Sequence, residues 1–176
     1  MAISFVAMLS FDIRALEARA AIVDGWLSPD DAIWQDGDDL PIDPVHVTGR
    51  VSRAGSDRFY WSGRIEGRAG ILCRRCLVPL TAPVAENVHL IFSESLPDDE
   101  DDPDVFQIGP RARDIDLRPA VREQWLLGVP SYAVCRDDCA GICPHCGADV
   151  NTGACECPPE NDSRLDALRS LRSESN

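Results

Sequence analysis

Residues 139–157 read CAGICPHCGADVNTGACEC and hold five of the eight cysteines in a chain of 176 residues. A segment so rich in sulfur and so poor in large aliphatic side chains has little core of its own, so a cross-link or a metal must organise it. Disulfides, a metal, a redox pair and a catalytic thiol are the candidates, and the compartment decides among them. The N-terminus, MAISFVAMLSFD, is apolar but short, lacks a basic start and soon meets Asp12. A secretory leader needs a charged start and a longer apolar run, so this segment reads as a core strand and the protein as cytoplasmic. No run of about 18 apolar residues is present, so no membrane span is expected. A reducing cytosol disfavours a disulfide framework, and closely spaced cysteines there read as metal ligands.

The spacing is Cys73-x2-Cys76, a long gap, then Cys135-x3-Cys139-x3-Cys143-x2-Cys146-x8-Cys155-x-Cys157. A C-x2-C pair lets two thiolates from one tight turn meet one ion. In CPHCG, Pro144 biases the turn and Gly147 permits the positive φ that such knuckles need. Cys143, Cys146, Cys155 and Cys157 come as two local pairs and form the first expected site. Four soft thiolates in a tetrahedron suit zinc best and iron–sulfur next. The single-residue spacing of Cys155 and Cys157 requires a local bend. Cys73, Cys76, Cys135 and Cys139 leave three readings open: a second zinc site joining the sheet to the C-terminal segment, two reduced and packed thiol pairs, or a redox-active CRRC. In the last, Arg74 and Arg75 would lower the thiolate pKa values. The expectation is therefore about two zinc ions per chain. His89 and His145 are ligands only by default.

The rest of the chain patterns as a sheet protein. Val45, Val47 and Val51 alternate with polar residues, as do Phe59, Trp61 and Ile65, with RAGSD as a hairpin turn between the runs. Val84, Val88, Leu90 and Phe92 continue the period of two, which marks a half-buried antiparallel sheet. Gly49, Gly63, Gly67 and Gly70 interrupt these runs and predict bends or bulges in a coiled sheet. Leu16, Ala20 and Val23 suit one short helical face, with β character as the alternative. Residues 28–44 read as an acidic loop, VFQIG as a short strand, and DIDLRPAVREQWLLGVP as a helix capped by Asp116, with Leu117, Val121, Gln124 and Trp125 on its packed face. The fold class is α+β: a coiled, barrel-like antiparallel sheet with a packed helix and a C-terminal cysteine-rich zinc knuckle. The division is a core over 1–130 with an acidic loop near 94–104, a zinc-binding segment over 131–160, and a short helical or frayed tail over 161–176.

The formal net charge is −13, and every basic residue is arginine. A globally acidic chain does not bind nucleic acid by bulk attraction, because phosphate binding draws on clustered cations. An acidic surface suits a basic protein partner or simply solubility. One stretch runs the other way. Arg50, Arg53, Arg58, Arg64, Arg68, Arg74 and Arg75 face only Asp57 and Glu66 within residues 50–75, with Tyr60 and Trp61 among them. A basic β-ribbon with aromatics contacts RNA backbone and bases; the competing reading pairs these arginines with the acidic run 94–104. No phosphate-binding glycine loop or dinucleotide fingerprint is present, and the three histidines sit in no nucleophile or metalloprotease arrangement. A closed four-thiolate site is structural rather than catalytic. The expectation is no enzyme and no small-molecule substrate, and the alternative class is a cysteine-based redox switch or zinc carrier.

With these residues in view, the chain resembles the YceD family of large ribosomal RNA subunit accumulation proteins. ILCRRCLVPL is similar to the family's Cys-x-Arg-Cys-Leu segment, DIDLRPAVREQWLLGVP to its Asp-Leu helix, and CRDDCAGICPHCGADVNTGACEC to the cysteine-rich tail of many bacterial members. The order of the three motifs over roughly residues 40–160 carries the resemblance. It implies a role in accumulation or processing of large-subunit rRNA. It also implies as partner that rRNA, its precursor, or a basic ribosomal protein such as L32, whose gene often neighbours those of the family. Some members keep the first cysteine pair and lose the terminal cysteines, which points to Cys73 and Cys76 as the more central pair.

Overall fold

A computed structural model describes residues 9–94, 104–109, 111–153 and 155–157. The first eight residues, most of the acidic run 94–104 and the tail expected over 161–176 lie outside the described residues.

The chain opens with β1 (Ser10–Asp12) and α1 (Ile13–Ala18), whose N-terminus Asp12 caps by accepting from the Ala15 amide at 2.9 Å. The long strands follow: β2 (Ala21–Leu27), β3 (Val45–Arg53), β4 (Arg58–Leu72) and β5 (Pro79–Ser93). Then come β6 (Val105–Gln107), β7 (Asp114–Asp116) and α2 (Arg118–Gly128). The main sheet has the order β2-β3-β4-β5-β6, antiparallel except for the parallel β5–β6 pair; β1 and β7 form a separate antiparallel pair.

The valine and aromatic positions picked out by the period of two all point inward. Val45, Val47, Val51, Phe59, Trp61, Ile65, Val84, Val88, Leu90 and Phe92 are buried in one cluster with Ala120, Val121 and Trp125 of α2. The barrel-like expectation is corrected. Among the described residues β2 pairs only with β3 and β6 only with β5, so the sheet they form does not close. Alternation cannot tell the two cases apart, because an open sheet covered on one face and a barrel filled inside have the same inward period. Here α2 fills the inner face. Its indole crosses Gly67, where a methyl group would lie 2.7 Å from Trp125 Cζ3.

The glycine expectation changes with it. The β4–β5 ladder runs unbroken from Arg58 opposite Ser93 to Leu72 opposite Pro79, and Gly49 faces Gly63 in an unbroken β3–β4 ladder. These glycines permit close approach rather than bulges: a Cβ on Gly63 would strike the Thr48 carbonyl oxygen. The helical face of Leu16, Ala20 and Val23 is also split. The helix stops at Ala18, and Val23 lies in β2 with Leu27, inward, while Ile22 and Trp26 point out. Asp116 belongs to β7; Leu117 is the helix N-cap, and Asp116 Oδ1 accepts from the Arg118 amide at 3.0 Å.

Residues 28–44 form the expected loop and are fixed on α2. Arg122 donates to both Asp38 carboxylate oxygens at 2.7 Å, and Trp125 Nε1 donates to the Asp39 carbonyl at 2.8 Å.

Candidate metal centres

The β4–β5 hairpin ends in the turn that carries Cys73 and Cys76. The Leu77 amide donates to the Cys73 carbonyl at 3.0 Å, and the Cys73 amide to the Val78 carbonyl at 2.9 Å. The second C-x2-C turn repeats this: Gly147 donates to the Cys143 carbonyl at 2.9 Å, and Cys143 to the Ala148 carbonyl at 2.8 Å. Both knuckles need positive φ at the position after the second cysteine. Gly147 has φ 72° there, and Leu77 has φ 59°. Glycine adopts that conformation freely, whereas leucine pays about 1–2 kcal/mol for it.

The eight thiols gather into two groups, Cys73, Cys76, Cys135 and Cys139, and Cys143, Cys146, Cys155 and Cys157, with the sulfurs of each group within 4.8 Å of one another. No histidine joins either group among the described residues. Four thiolates about 2.3 Å from one tetrahedral ion lie about 3.8 Å from each other. Cys73 Sγ and Cys139 Sγ are 3.9 Å apart, and Cys76 Sγ and Cys135 Sγ are 3.7 Å apart. The donor set therefore fits a thiolate-preferring divalent ion.

Electrostatics within each group pull in opposite directions. The Cys76 backbone amide draws the Cys73 thiol down to about 6, and the Cys146 amide does the same for Cys143. Burial pushes Cys135 up to about 12, and the neighbouring Cys146 thiol pushes Cys157 up to about 12. Within each group a thiol that ionises readily thus sits beside thiols that resist. A cation bound among them removes that conflict, which ties metal binding to proton release.

The first group fastens the C-terminal segment to the end of the sheet. Cys73 and Cys76 come from the hairpin, while Cys135 and Cys139 come from the chain after α2. Arg74 Nε donates to the Ser131 carbonyl at 2.5 Å, and its amide to the Ala133 carbonyl at 2.9 Å. Arg75 Nη1 donates to the carbonyls of Asp137 and Cys139, each at 3.0 Å. The two groups are also joined to each other. Asn151, in the loop between Cys146 and Cys155, donates from Nδ2 to Cys139 Sγ at 3.5 Å, and its Oδ1 accepts from the Ala140 amide at 2.8 Å. In sequence NTG reads as a turn signal, and nothing in it marks Asn151 as the side chain that reaches the first group.

By strand register Arg50, Arg58, Arg64 and Arg68 alternate with inward residues and share the outward sheet face, whereas Arg53, Arg74 and Arg75 lie apart from it. Arg74 and Arg75 are engaged by backbone carbonyls of the cysteine segment. Arg53 closes its own hairpin by donating to the Gly55 carbonyl at 2.6 Å. Arg64 pairs with Glu66 at 2.9 Å, and Arg68 pairs with Asp43. Arg50 is exposed on the outward sheet face, and Arg58 is half-buried at the start of β4. The outward face also carries two aromatic stacks that the sequence did not announce. Trp26 lies on His46 with ring centroids 4.2 Å apart, and Tyr60 on His89 at 6.2 Å. His145 is exposed in its knuckle.

Comparison with known proteins bears on this arrangement. The family model described as large ribosomal RNA subunit accumulation protein YceD matches residues 61–172, which include both cysteine groups and α2. A maize protein named large ribosomal RNA subunit accumulation protein YCED homolog 1, chloroplastic, is 24% identical over 91% of this chain and 62% of its own length. The Arabidopsis thaliana protein of the same name is 31% identical over 39% of this chain and 22% of its own length. The chain thus spans less than two thirds of the curated relatives it matches. No solved structure matches. Among the described residues no helix is long and apolar enough to cross a membrane.

Proposed function

The chain belongs to the YceD family, and on that premise we propose that it is a non-enzymatic cytoplasmic factor supporting accumulation or processing of large-subunit rRNA. About two zinc ions serve as its structural members. The observation that carries the non-catalytic reading is the donor set. Each group offers four thiols, so a tetrahedral ion held there is saturated by protein and has no position for a reacting water. Such an ion does the work of a core for a segment that lacks one.

The partner is large-subunit rRNA or its precursor, a basic ribosomal protein, or both. The net charge of −13 favours the protein, since negative charge repels phosphate and attracts basic chains. What favours RNA is the outward sheet face, where Trp26, His46, Tyr60 and His89 offer rings beside Arg50; stacking on such rings is how single strands are held. The other class, a thiol switch or zinc carrier, draws support from the exposure of Cys135 and Cys146. Release of zinc under mild peroxide supports that class, and zinc retention through it argues against.

The test is depletion. Cells lacking the chain should lose large-subunit rRNA relative to small-subunit rRNA, with matching gradient profiles. An unchanged ratio removes this function and leaves the thiol-switch reading in front.

A further inference from the structure

Asn151 belongs to the loop of the second thiol group, between Cys146 and Cys155, yet its side chain is committed to the first group. Nδ2 donates to Cys139 Sγ at 3.5 Å, and Oδ1 accepts from the Ala140 amide and from Arg136 Nη2, each at 2.8 Å. Ala140 and Arg136 are the residues that follow Cys139 and Cys135. One side chain thus touches a sulfur of the first group and holds the chain just past both of that group's C-terminal thiols.

Its aim is set by the second group's loop. Asp149 Oδ1 accepts from the Asn151 amide at 2.9 Å and from Asn151 Nδ2 at 2.6 Å, and the Thr152 amide donates to the Asp149 carbonyl at 3.2 Å. Such a side-chain turn shapes the tip of a loop, but the ends of this loop are the thiol pairs themselves. A segment with little core takes its order from its metal. An ion at the second group brings Cys146 and Cys155 to one point and so sets both ends of the loop that carries Asn151.

The connector between the groups is short and pinned on both sides. Only Ala140, Gly141 and Ile142 separate Cys139 from Cys143. The Ile142 amide donates to the Arg75 carbonyl at 3.0 Å, and the Gly141 carbonyl accepts from the Val150 amide at 2.9 Å. Gly141 has φ 78°, and a Cβ there would meet the Arg75 carbonyl oxygen at 3.0 Å. The connector is fastened to the first knuckle through Arg75 and to the second group's loop through Val150. Order in either group therefore favours order in the other.

We propose that the two thiol groups bind metal as one coupled unit, with Asn151 the positioning residue that carries the coupling: an ion at either group raises the affinity of the other. Linkage makes the effect equal in both directions. The coupling rests on the reading above only in that these thiols hold metal; it does not depend on the role in rRNA accumulation.

The experiment uses the full chain and zinc alone, with affinities read by competition against a chromophoric chelator. Cys143→Ser reports the first group by itself, and Cys76→Ser the second. Should Cys76→Ser fail to fold, Cys135→Ser, whose thiol is exposed, takes its place. The native chain reports both groups together. Coupling is the excess of the native two-ion affinity over the product of the two single-group affinities. The same set is repeated with Asn151→Ala, and with Asn151→Asp, which keeps an acceptor for Ala140 and Arg136 but loses the donor to Cys139 Sγ. A general loosening of the segment lowers both sides of the ratio and leaves the excess unchanged, so the excess isolates the coupling.

The expected excess in the native chain is about 10–100-fold, and it should vanish in both Asn151 variants. No excess in the native chain, or an excess that persists in either Asn151 variant, overturns the proposal. The two readings fail distinguishably. Two zinc ions bound with no excess removes the coupling and leaves the metal-held frame. A chain that takes up no zinc removes both.

Discussion

Arg75 holds Cys139 in place from across the chain: its Nη1 donates to the Cys139 carbonyl at 3.0 Å while its own carbonyl accepts from the Ile142 amide at 3.0 Å. One residue of the first knuckle thus fixes the backbone on both sides of the junction between the two thiol groups. Arg75→Ala removes the side-chain half of this link and leaves every thiol present. The expected outcome is zinc affinity weaker by about 10–100-fold at the first group, the range typical when a partner outside the ligand set is lost. Competition with a chromophoric chelator measures it.

Cys143→Ser should take zinc from about two per chain to about one, since three thiolates do not complete a tetrahedral structural site. Cys73→Ser should do the same, and should also loosen the attachment of residues 131–157 to the sheet. Amide exchange over that span separates the two. An unchanged metal content in Cys143→Ser would mean the ligands are grouped differently.

Gly67→Ala should destabilise the fold by about 1–3 kcal/mol, because the new methyl group meets the Trp125 ring at 2.7 Å and a packed core yields poorly. Trp125→Ala should cost about 3–5 kcal/mol through the cavity it leaves. Urea unfolding monitored on the zinc-loaded chain reads both.

Much of this sheet is legible in the sequence because inward valines and aromatics repeat every two residues and every one of them is buried. Closure is not legible, since Trp125 fills in three dimensions a space that alternation leaves undefined. The two four-thiol groups follow from spacing, because C-x2-C fixes two sulfurs in one turn. Arg74 and Arg75 do not follow. A run of arginines looks alike whether the guanidinium groups face solvent or the carbonyls of a segment some sixty positions away, as the Arg75–Asp137 bond does. Leu77 is hidden for a related reason: nothing in CRRCL announces a positive φ until the matching Gly147 knuckle is laid beside it.

Leu77→Gly should raise stability by about 0.5–1 kcal/mol, since glycine adopts φ near 59° without the steric cost leucine bears.

The Arg122 hydrogen bonds hold the Asp38 carboxyl below its usual range. A depressed folded-state pKa contributes stability that is fully present above the unfolded value and is lost as pH falls through the folded one. Stability of the native chain should therefore drop as pH falls below the ordinary carboxylate range, and Asp38→Asn should drop less. Urea midpoints over that window check the difference.

The account depends on the cysteines acting as a metal-held frame rather than as redox chemistry. Native mass spectrometry of the purified chain, compared with its mass after denaturation in acid, tests that most directly. The account predicts about two zinc ions per native chain, with all eight thiols free to alkylate once the metal is removed. A native chain without metal, carrying disulfides among Cys73, Cys76, Cys135 and Cys139, would contradict it.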